Sequence, residues 1–352
     1  MSFVMNAWYA ACWSDEVKQG EMFHRTLLDE EIVLYRNAAG QPVALRDRCP
    51  HRFVPLHMGR LRGDVIECGY HGLQFDCSGA CVKNPHGDGK IPAAAKVKSY
   101  PVVERHTLLW VWMGEPSAAD PSLIPDYSLL DNKDGFVTSR GYIVMNAGYE
   151  LMGENLLDLS HVAYLHEGLL GTPGMASALP ELREEGPRRL WVDRWMPNVE
   201  VPKVFDMLFR QDGNPVDAWQ NMRFDAPSNF LVDAGVHAPG ESRERGAGYF
   251  GIHILTPQTN GTTHYHFAAA RPQGQALDAQ TAEQLSQLRR FVFEEQDKPI
   301  VDAQQAAIGD ADFWSLKPVL LAIDAGPVRM RRMLERMRKD EAAQRQGEAC
   351  RV

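Results

Sequence analysis

The chain has 352 residues, 44% hydrophobic and 24% charged, the profile of a globular protein long enough for two cores. Its formal net charge of −9 repels polyanions, which argues against nucleic-acid binding and leaves an acidic surface that suits a basic protein partner. No apolar run approaches the roughly 20 residues of a membrane span, and the N-terminus meets Asp15 and Glu16 without the basic and apolar regions of a leader, so the chain is read as cytoplasmic, with no membrane contact.

From Asn6 to about Met113, short apolar runs alternate with turn signals, as in Glu31-Ile32-Val33-Leu34-Tyr35, Pro42-Val43-Ala44-Leu45 and Leu108-Leu109-Trp110-Val111-Trp112. This pattern predicts a small antiparallel β domain. Within it, Cys49-Pro50-His51 and Cys68-Gly69-Tyr70-His71 each follow a strand, in the order C-x-H, sixteen residues, C-x2-H. Zinc sites usually draw both cysteines from one knuckle. One cysteine and one histidine from each loop instead suits a [2Fe–2S] cluster, two cysteines on one iron and two histidines on the other. Pro50, Pro55, Gly69 and Gly72 suit loops whose backbone N–H groups approach the cluster sulfurs. His24, His57, His86 and His106 lack partners at ligand spacing and read as surface residues or as supports for the ligands. The six cysteines, at 12, 49, 68, 77, 81 and 350, are too few for a disulfide framework in so long a chain. Cys77 and Cys81 read as thiols or small buried residues, a disulfide between them being the alternative.

Pro116, Pro121 and Pro125, with small polar residues between them, break the pattern. The predicted division is a first domain over 1–115, a linker over 116–128 and a second domain over 129–352. The second domain opens with a strand near Gly141-Tyr142-Ile143-Val144-Met145, then a helix from about Tyr149 carrying Glu154, Asn155, Asp158 and His161. Asn155, Asp158 and His161 recur every three residues and so share one helical stripe. His161 and His166 are five apart, about 140° on an ideal helix, so one metal can take both only if the helix ends or bulges between them. Two histidines call for a carboxylate to complete the facial triad of non-haem iron(II) oxygenases. Asp158 is nearest in sequence but can instead hydrogen-bond a ligand histidine. Asp297 stands on a later helical stretch, with Glu294 and Glu295 as competitors. Residues from about Arg189 to Arg271 read as strands, and His264 and His266 share a face of one of them. An amphipathic helix from Val328 to about Gln346 closes the chain.

Together the two motifs resemble those of the oxygenase component of Rieske non-haem iron oxygenases, over nearly the whole chain. The resemblance implies an α+β protein, an all-β Rieske [2Fe–2S] domain followed by an antiparallel-sheet catalytic domain with helices, of helix-grip type. It assigns Cys49, His51, Cys68 and His71 to the cluster. Asn155-x2-Asp158-x2-His161-x4-His166 matches the mononuclear iron motif, with His161 and His166 as ligands and Asp297 as the C-terminal third ligand.

Asn6-Ala7-Trp8-Tyr9, Ser99-Tyr100-Pro101-Val102-Val103-Glu104-Arg105 and His253-Ile254-Leu255-Thr256-Pro257 look like the subgroup of vanillate O-demethylase and dicamba monooxygenase. That likeness implies that Asn229 and His253 bind the substrate carboxylate, with Leu288 where a tryptophan stands in the subgroup. It implies a homotrimer in which the cluster of one subunit faces the iron of the next across Asp158, and it makes Asp158 and Asn155 catalytic. The implied activity is O-demethylation of a methoxylated, carboxylated aromatic such as vanillate, with O2 consumed and formaldehyde released. NADH is the ultimate donor through a separate flavin- or ferredoxin-type reductase, since the chain has no flavin or dinucleotide motif of its own. The alternatives are ring or alkyl hydroxylation, or N-demethylation, by the same machinery. A non-catalytic Rieske carrier and a structural zinc protein are the rivals from other classes.

Overall fold

A computed structural model describes residues 3–131, 135–275 and 277–349. Its contacts separate Met5–Asp126 from a second unit built from Tyr127 onward together with the residues up to Val4.

The first unit holds strands β1 (Trp8–Trp13), β2 (Met22–Leu27), β3 (Glu30–Arg36), β4 (Pro42–Arg46), β5 (Arg60–Arg62), β6 (Val65–Glu67), β7 (Gln74–Phe75), β8 (Cys81–Lys83), β9 (Ser99–Tyr100), β10 (Val102–Arg105) and β11 (Leu108–Trp112). They form three small antiparallel sheets, ordered β1-β11-β10, β2-β3-β4-β9 and β5-β6-β7-β8. Val33, Tyr35, Leu45, Leu56, Ile66 and Phe75 are completely buried between the last two sheets, and Cys49 and Cys68 belong to the same cluster. The loop after β4 carries Cys49 and the loop after β6 carries Cys68, so both project from strands anchored in one core. The loops abut at two glycines: a Cβ on Gly59 would lie 2.1 Å from the Glu67 carbonyl, and one on Gly69 would lie 2.8 Å from the Met58 carbonyl. Any side chain at either position would push the loops apart.

Cys12, Cys49, Cys68, Cys77 and Cys81 are all free thiols. Cys77 accepts from the Tyr35 hydroxyl at 3.6 Å and donates to the Asp64 carbonyl at 3.4 Å. Cys350 lies outside the described residues. Residues 116–128 fold into successive single turns, in which Asp120 caps Ser122 and takes the Trp8 indole N–H on its carbonyl at 2.8 Å.

The second unit is a seven-stranded antiparallel sheet of β12 (Phe136–Met145), β13 (Glu181–Glu185), β14 (Arg189–Val199), β15 (Val216–Asp225), β16 (Asn229–His237), β17 (Ala247–Thr259) and β18 (Thr262–Pro272), in the order β12-β18-β17-β16-β15-β14-β13. Its helices are α1 (Tyr149–Leu157), α2 (Lys203–Leu208), α3 (Ala279–Phe291), α4 (Lys298–Ile308) and α5 (Ala325–Ala349). Among the described residues no helix is long and apolar enough to cross a membrane. The α1 helix packs against α5 at Gly153, where a Cβ would meet the Met330 sulfur at 2.7 Å.

Ion pairs lock the same helix pair. Arg331 reaches Glu150 at 2.9 Å, with both side chains 4% exposed, and also pairs with Glu154; Arg338 pairs with Glu150 from the next turn but one. Burial pushes the Glu154 carboxyl above its ordinary range, and Arg331 opposes this. Removing one partner of such a buried set leaves uncompensated charge, whereas the intact set need not exceed an apolar substitute in stability. Arg331→Met is therefore expected to lower the unfolding free energy of this unit by about 3–5 kcal/mol, read as a lower urea midpoint. An unchanged midpoint would mean that the carboxylates are held by other means.

Candidate metal centres and substrate cavity

Each cysteine loop folds back on its own cysteine. Cys49 N–H donates to the Val54 carbonyl and Phe53 N–H to the Cys49 carbonyl, both at 2.9 Å; Cys68 N–H donates to Leu73 at 2.8 Å and Gly72 N–H to Cys68 at 3.0 Å. Both thiols are 2% exposed and adjoin one another. Burial pushes the Cys49 thiol up to about 11, and the N–H groups of His51 and Arg52, which point at its sulfur, oppose this. His51 and His71 sit at the loop tips with ring centroids 4.5 Å apart, and the His86 ring N–H donates to the His71 carbonyl at 2.8 Å.

A tetrahedral zinc ion would gather its donors within about 4 Å of one another. Among the described residues, donors grouped within 4.8 Å are His161 with His166 and Asp297, and His24 with Asp47 and His57. Cys49, His51, Cys68 and His71 form no such group. Paired buried thiols, imidazoles set apart at the rim and N–H groups aimed at sulfur fit a two-iron cluster and do not fit one zinc ion. His24 and His57 stack face to face at 3.8 Å with 7° between planes, so their nitrogen lone pairs point along parallel planes rather than at one ion. Asp47 takes the His57 backbone N–H at 2.8 Å and its ring nitrogen, and so clamps the first cysteine loop.

The second centre arises where regular helix stops. The predicted helix carries Asp158 and His161 on one stripe, but α1 ends at Leu157 and both residues lie beyond it. The Asp158 carboxylate accepts from Ser160 N–H at 3.0 Å and from the Ser160 hydroxyl, a side-chain turn that competes with helical hydrogen bonding. Buried Arg194 fixes the exit, donating to the carbonyls of Leu159 and Met175 and to that of Ala178 at 2.9 Å. A single turn, His161–Ala163, follows and turns the His161 ring toward His166.

Asp297 closes a π-helical turn, Val292–Asp297, between α3 and α4. Such turns insert one residue and re-aim those that follow. Asp297 is 3% exposed, while Glu295 faces solvent and Glu294 pairs with Arg290 at 3.8 Å, so neither competitor joins the centre.

The two Nε2 atoms of His161 and His166 stand 3.2 Å apart, and Asp297 Oδ1 lies 3.6 Å from the first and 3.2 Å from the second. First-row ions hold nitrogen and oxygen ligands at about 2.0–2.2 Å, so three donors on one octahedral face stand about 3 Å apart. The residues fit such an ion. His161 donates its Nδ1–H to the Asp158 carbonyl, and His166 donates its own to Gln296 Oε1 at 2.9 Å. Both Nε2 lone pairs are thus left facing inward. Asn155 Nδ2 donates to Asp297 Oδ1 at 3.1 Å. Burial holds His161 below its usual value, with Asp297 opposing. No role for Gln296 could be read from the sequence, because its partner lies 130 residues away.

Beside this centre is a cavity of about 200 Å³. Leu169 and Leu170, from the turn after His166, and Val292 and Phe293, from the turn that ends at Asp297, form part of its wall, with Leu288 beside them. Its floor is the sheet face bearing Tyr249, Gly251, His253, Phe267, Ala269 and Arg271, as the register His253↔Phe267 and Gly251↔Ala269 requires. His253 bonds Tyr265 through Nδ1 at 2.7 Å, and burial lowers it to about 4, so it is neutral at pH 7.

Asn229 does not join His253 there. The register pairs Asn229 with Ile254 and His253 with Phe230, which puts the two on opposite faces of the sheet. Asn229 is buried away from the cavity. His264 and His266 likewise belong to the other face, where His264 bonds the Tyr142 hydroxyl at 2.9 Å.

Known proteins share both halves. Residues 7–101 match the Rieske [2Fe-2S] domain and residues 145–340 the vanillate O-demethylase oxygenase C-terminal domain. The chain is 38% identical over 335 residues to the oxygenase component of chloroacetanilide N-alkylformylase from Rhizorhabdus wittichii, covering 95% of each. It is 37% identical over 347 residues to the iron-sulfur subunit of the toluene-4-sulfonate monooxygenase system of Comamonas testosteroni, covering 96% of this chain and 98% of that one. The crystal structure of dicamba monooxygenase bound to 3,6-dichlorosalicylic acid matches with a TM-score of 0.88 at 34% identity, over 97% of this chain and 100% of that one. With both domains and the full length accounted for, the chain belongs to the Rieske non-haem iron oxygenases, as an oxygenase component of the vanillate O-demethylase type.

Proposed function

We propose that this oxygenase removes the methyl group of a methoxylated aromatic as formaldehyde, using electrons from a separate reductase and a ferrous ion held by His161, His166 and Asp297, with Cys49, His51, Cys68 and His71 holding the cluster. The observation that carries the reading is the cavity. It is largely apolar, shares its walls with the turns bearing His166 and Asp297, and holds the neutral imidazole of His253. Held by the residues named above, the iron and the cluster would supply dioxygen activation, through which one oxygen atom would be inserted into the methyl C–H bond and the other leave as water with two electrons from the reductase and two protons. The hydroxymethyl ether that results collapses to a phenol and formaldehyde without further catalysis.

The chain's own residues orient and exclude. Asn155 and Gln296 hold Asp297 and His166 in the facing arrangement, and Phe293, Leu169 and Leu170 keep the cavity dry. His253 is held through Nδ1 by the Tyr265 hydroxyl, which leaves Nε2 on the cavity side of Gly251; in the tautomer that accepts from Tyr265, Nε2–H can donate to the substrate's ether or phenolic oxygen. Asp158 is half-buried and has one carboxylate oxygen engaged by Ser160, which supports a bridging position in a homotrimer, facing the cluster of a neighbouring subunit. Free thiols at Cys77 and Cys81 agree with a reducing, cytoplasmic setting.

A second reading, N-dealkylation or methyl hydroxylation, is favoured by the names of the first two relatives, an N-alkylformylase component and a toluene-4-sulfonate monooxygenase subunit. The ether reading draws on the vanillate O-demethylase match over 145–340 and on a relative, 35% identical, named dicamba O-demethylase.

Turnover of a panel of methoxybenzoates with reductase is expected to release one formaldehyde per phenol formed; products that keep the methoxy group and gain a ring hydroxyl would reject the ether reading. Asp158→Asn preserves the turn to Ser160 and is expected to leave the iron content of both centres intact while reductase-driven turnover falls about 100-fold; retained turnover would remove Asp158 from the route. Gln296→Ala is expected to weaken mononuclear iron binding by about 10- to 100-fold with the visible spectrum of the cluster unchanged, and equal iron affinity would show that His166 is oriented by other contacts.

A further inference from the structure

Among the described residues that line the cavity, two side chains are positive and none is negative. Arg271 comes from β18, on the same face as Ala269, and Arg289 comes from α3 above it. Arg289 is fixed in place, donating to the Ser139 carbonyl at 3.1 Å and to the Ser139 hydroxyl at 2.8 Å. Nη1 of Arg271 is buried without a hydrogen-bond partner.

The other polar groups that line or face this space are Thr138, Ser139, Tyr249, Tyr265 and His253. Burial pushes Tyr249 and Tyr265 up and His253 down, so all three are neutral at pH 7. Burial also lowers both guanidiniums, and Arg271 lowers Arg289 further, a repulsion that no described carboxylate relieves. Adjacent cations in an apolar hollow are costly unless an anion arrives to pair with them. Arginine forks match planar or tetrahedral oxyanions through paired N–H groups.

We infer that Arg271 and Arg289 clamp an anionic substituent on the aromatic substrate, a carboxylate or a sulfonate, and thereby decide which aromatics are accepted. This inference rests on the cavity being the substrate site, as proposed above. It replaces the pairing of Asn229 with His253 as the source of anion recognition, since Asn229 is off the cavity and His253 is uncharged. It also orients the substrate. Ala269 lies opposite Gly251, so Arg271 extends the row toward Tyr249, four residues from His253 along β17 and about 13 Å at the rise of a strand. With His253 at the oxidised end, the anion belongs on the far side of the ring, meta or para to the methoxy group.

The test is equilibrium binding to the iron-loaded protein without oxygen, by calorimetry, with 4-methoxybenzoate, 4-methoxybenzenesulfonate and the neutral methyl 4-methoxybenzoate as probes. Either anion is expected to bind about 10- to 100-fold more tightly than the ester, and the tighter of the two identifies the head group. Arg271→Met and Arg289→Met are each expected to lose about 10-fold for the anion while leaving the ester unchanged, and Arg271→Lys is expected to recover part of the loss. An ester that binds as tightly as both anions, or variants that weaken ester and anion alike, would overturn the clamp. The wild-type comparison decides even if a variant fails to fold. Because no turnover is involved, failure here leaves the formaldehyde assay to judge the demethylation reading separately.

Discussion

Three lone pairs held 3.2–3.6 Å apart, on His161, His166 and Asp297, are the constraint around which the catalytic unit is arranged. Facing acceptors of this kind repel one another unless a cation joins them, so every neighbouring element has to hold them in place. The helix stops at Leu157 because Asp158 turns its carboxylate onto Ser160, and Arg194 collects the carbonyls left beyond the stop. The π-helical turn swings Asp297 inward, where Asn155 meets it, and Gln296 keeps His166 in one tautomer. Behind them the Glu150, Glu154 and Arg331 network ties α1 to the closing helix, so the short helix that positions Asn155 is not free to shift.

Much of this was legible in the residues. The C-x-H and C-x2-H loops pointed to four candidate cluster donors because one cysteine and one histidine per loop suit two unlike irons, and the structure sets the two thiols side by side with the imidazoles at the loop tips. The spacing of His161 and His166 demanded a break between them; the helix ends earlier, at Leu157, and His161 opens a separate single turn. Illegible parts depend on partners distant in the chain or on local backbone irregularity. Periodicity carries a helix straight through Asp158, since nothing in the spacing reveals that a carboxylate will bond forward to Ser160 rather than face a metal. The π-helical turn has no periodic signature, and Gln296 has meaning only beside His166. The resemblance set Asn229 beside His253, whereas the register puts the two on opposite faces of the sheet, a pairing that no local pattern in the residues displays.

The residues lining the cavity are a different set from the candidate metal ligands. The turns that supply His166 and Asp297 also wall the cavity, which couples the shape of the substrate space to the metal geometry. Polar character in that space comes from β12, β17, β18 and α3, elements that hold none of the three candidate metal ligands. Relatives matched over nearly the whole chain bear the names chloroacetanilide N-alkylformylase, toluene-4-sulfonate monooxygenase and dicamba O-demethylase. A fold that separates ligands from lining residues can change substrates by altering the lining alone.

The central claim is that one chain carries two distinct iron centres, the second at His161, His166 and Asp297. Mössbauer spectroscopy of protein reconstituted with enriched iron tests it most directly. The account predicts about two-thirds of the signal from a [2Fe–2S] cluster and about one-third from a high-spin ferrous ion, with Asp297→Ala abolishing only the ferrous component. A single iron population in the native protein, or a substitution that removes both components together, would contradict it.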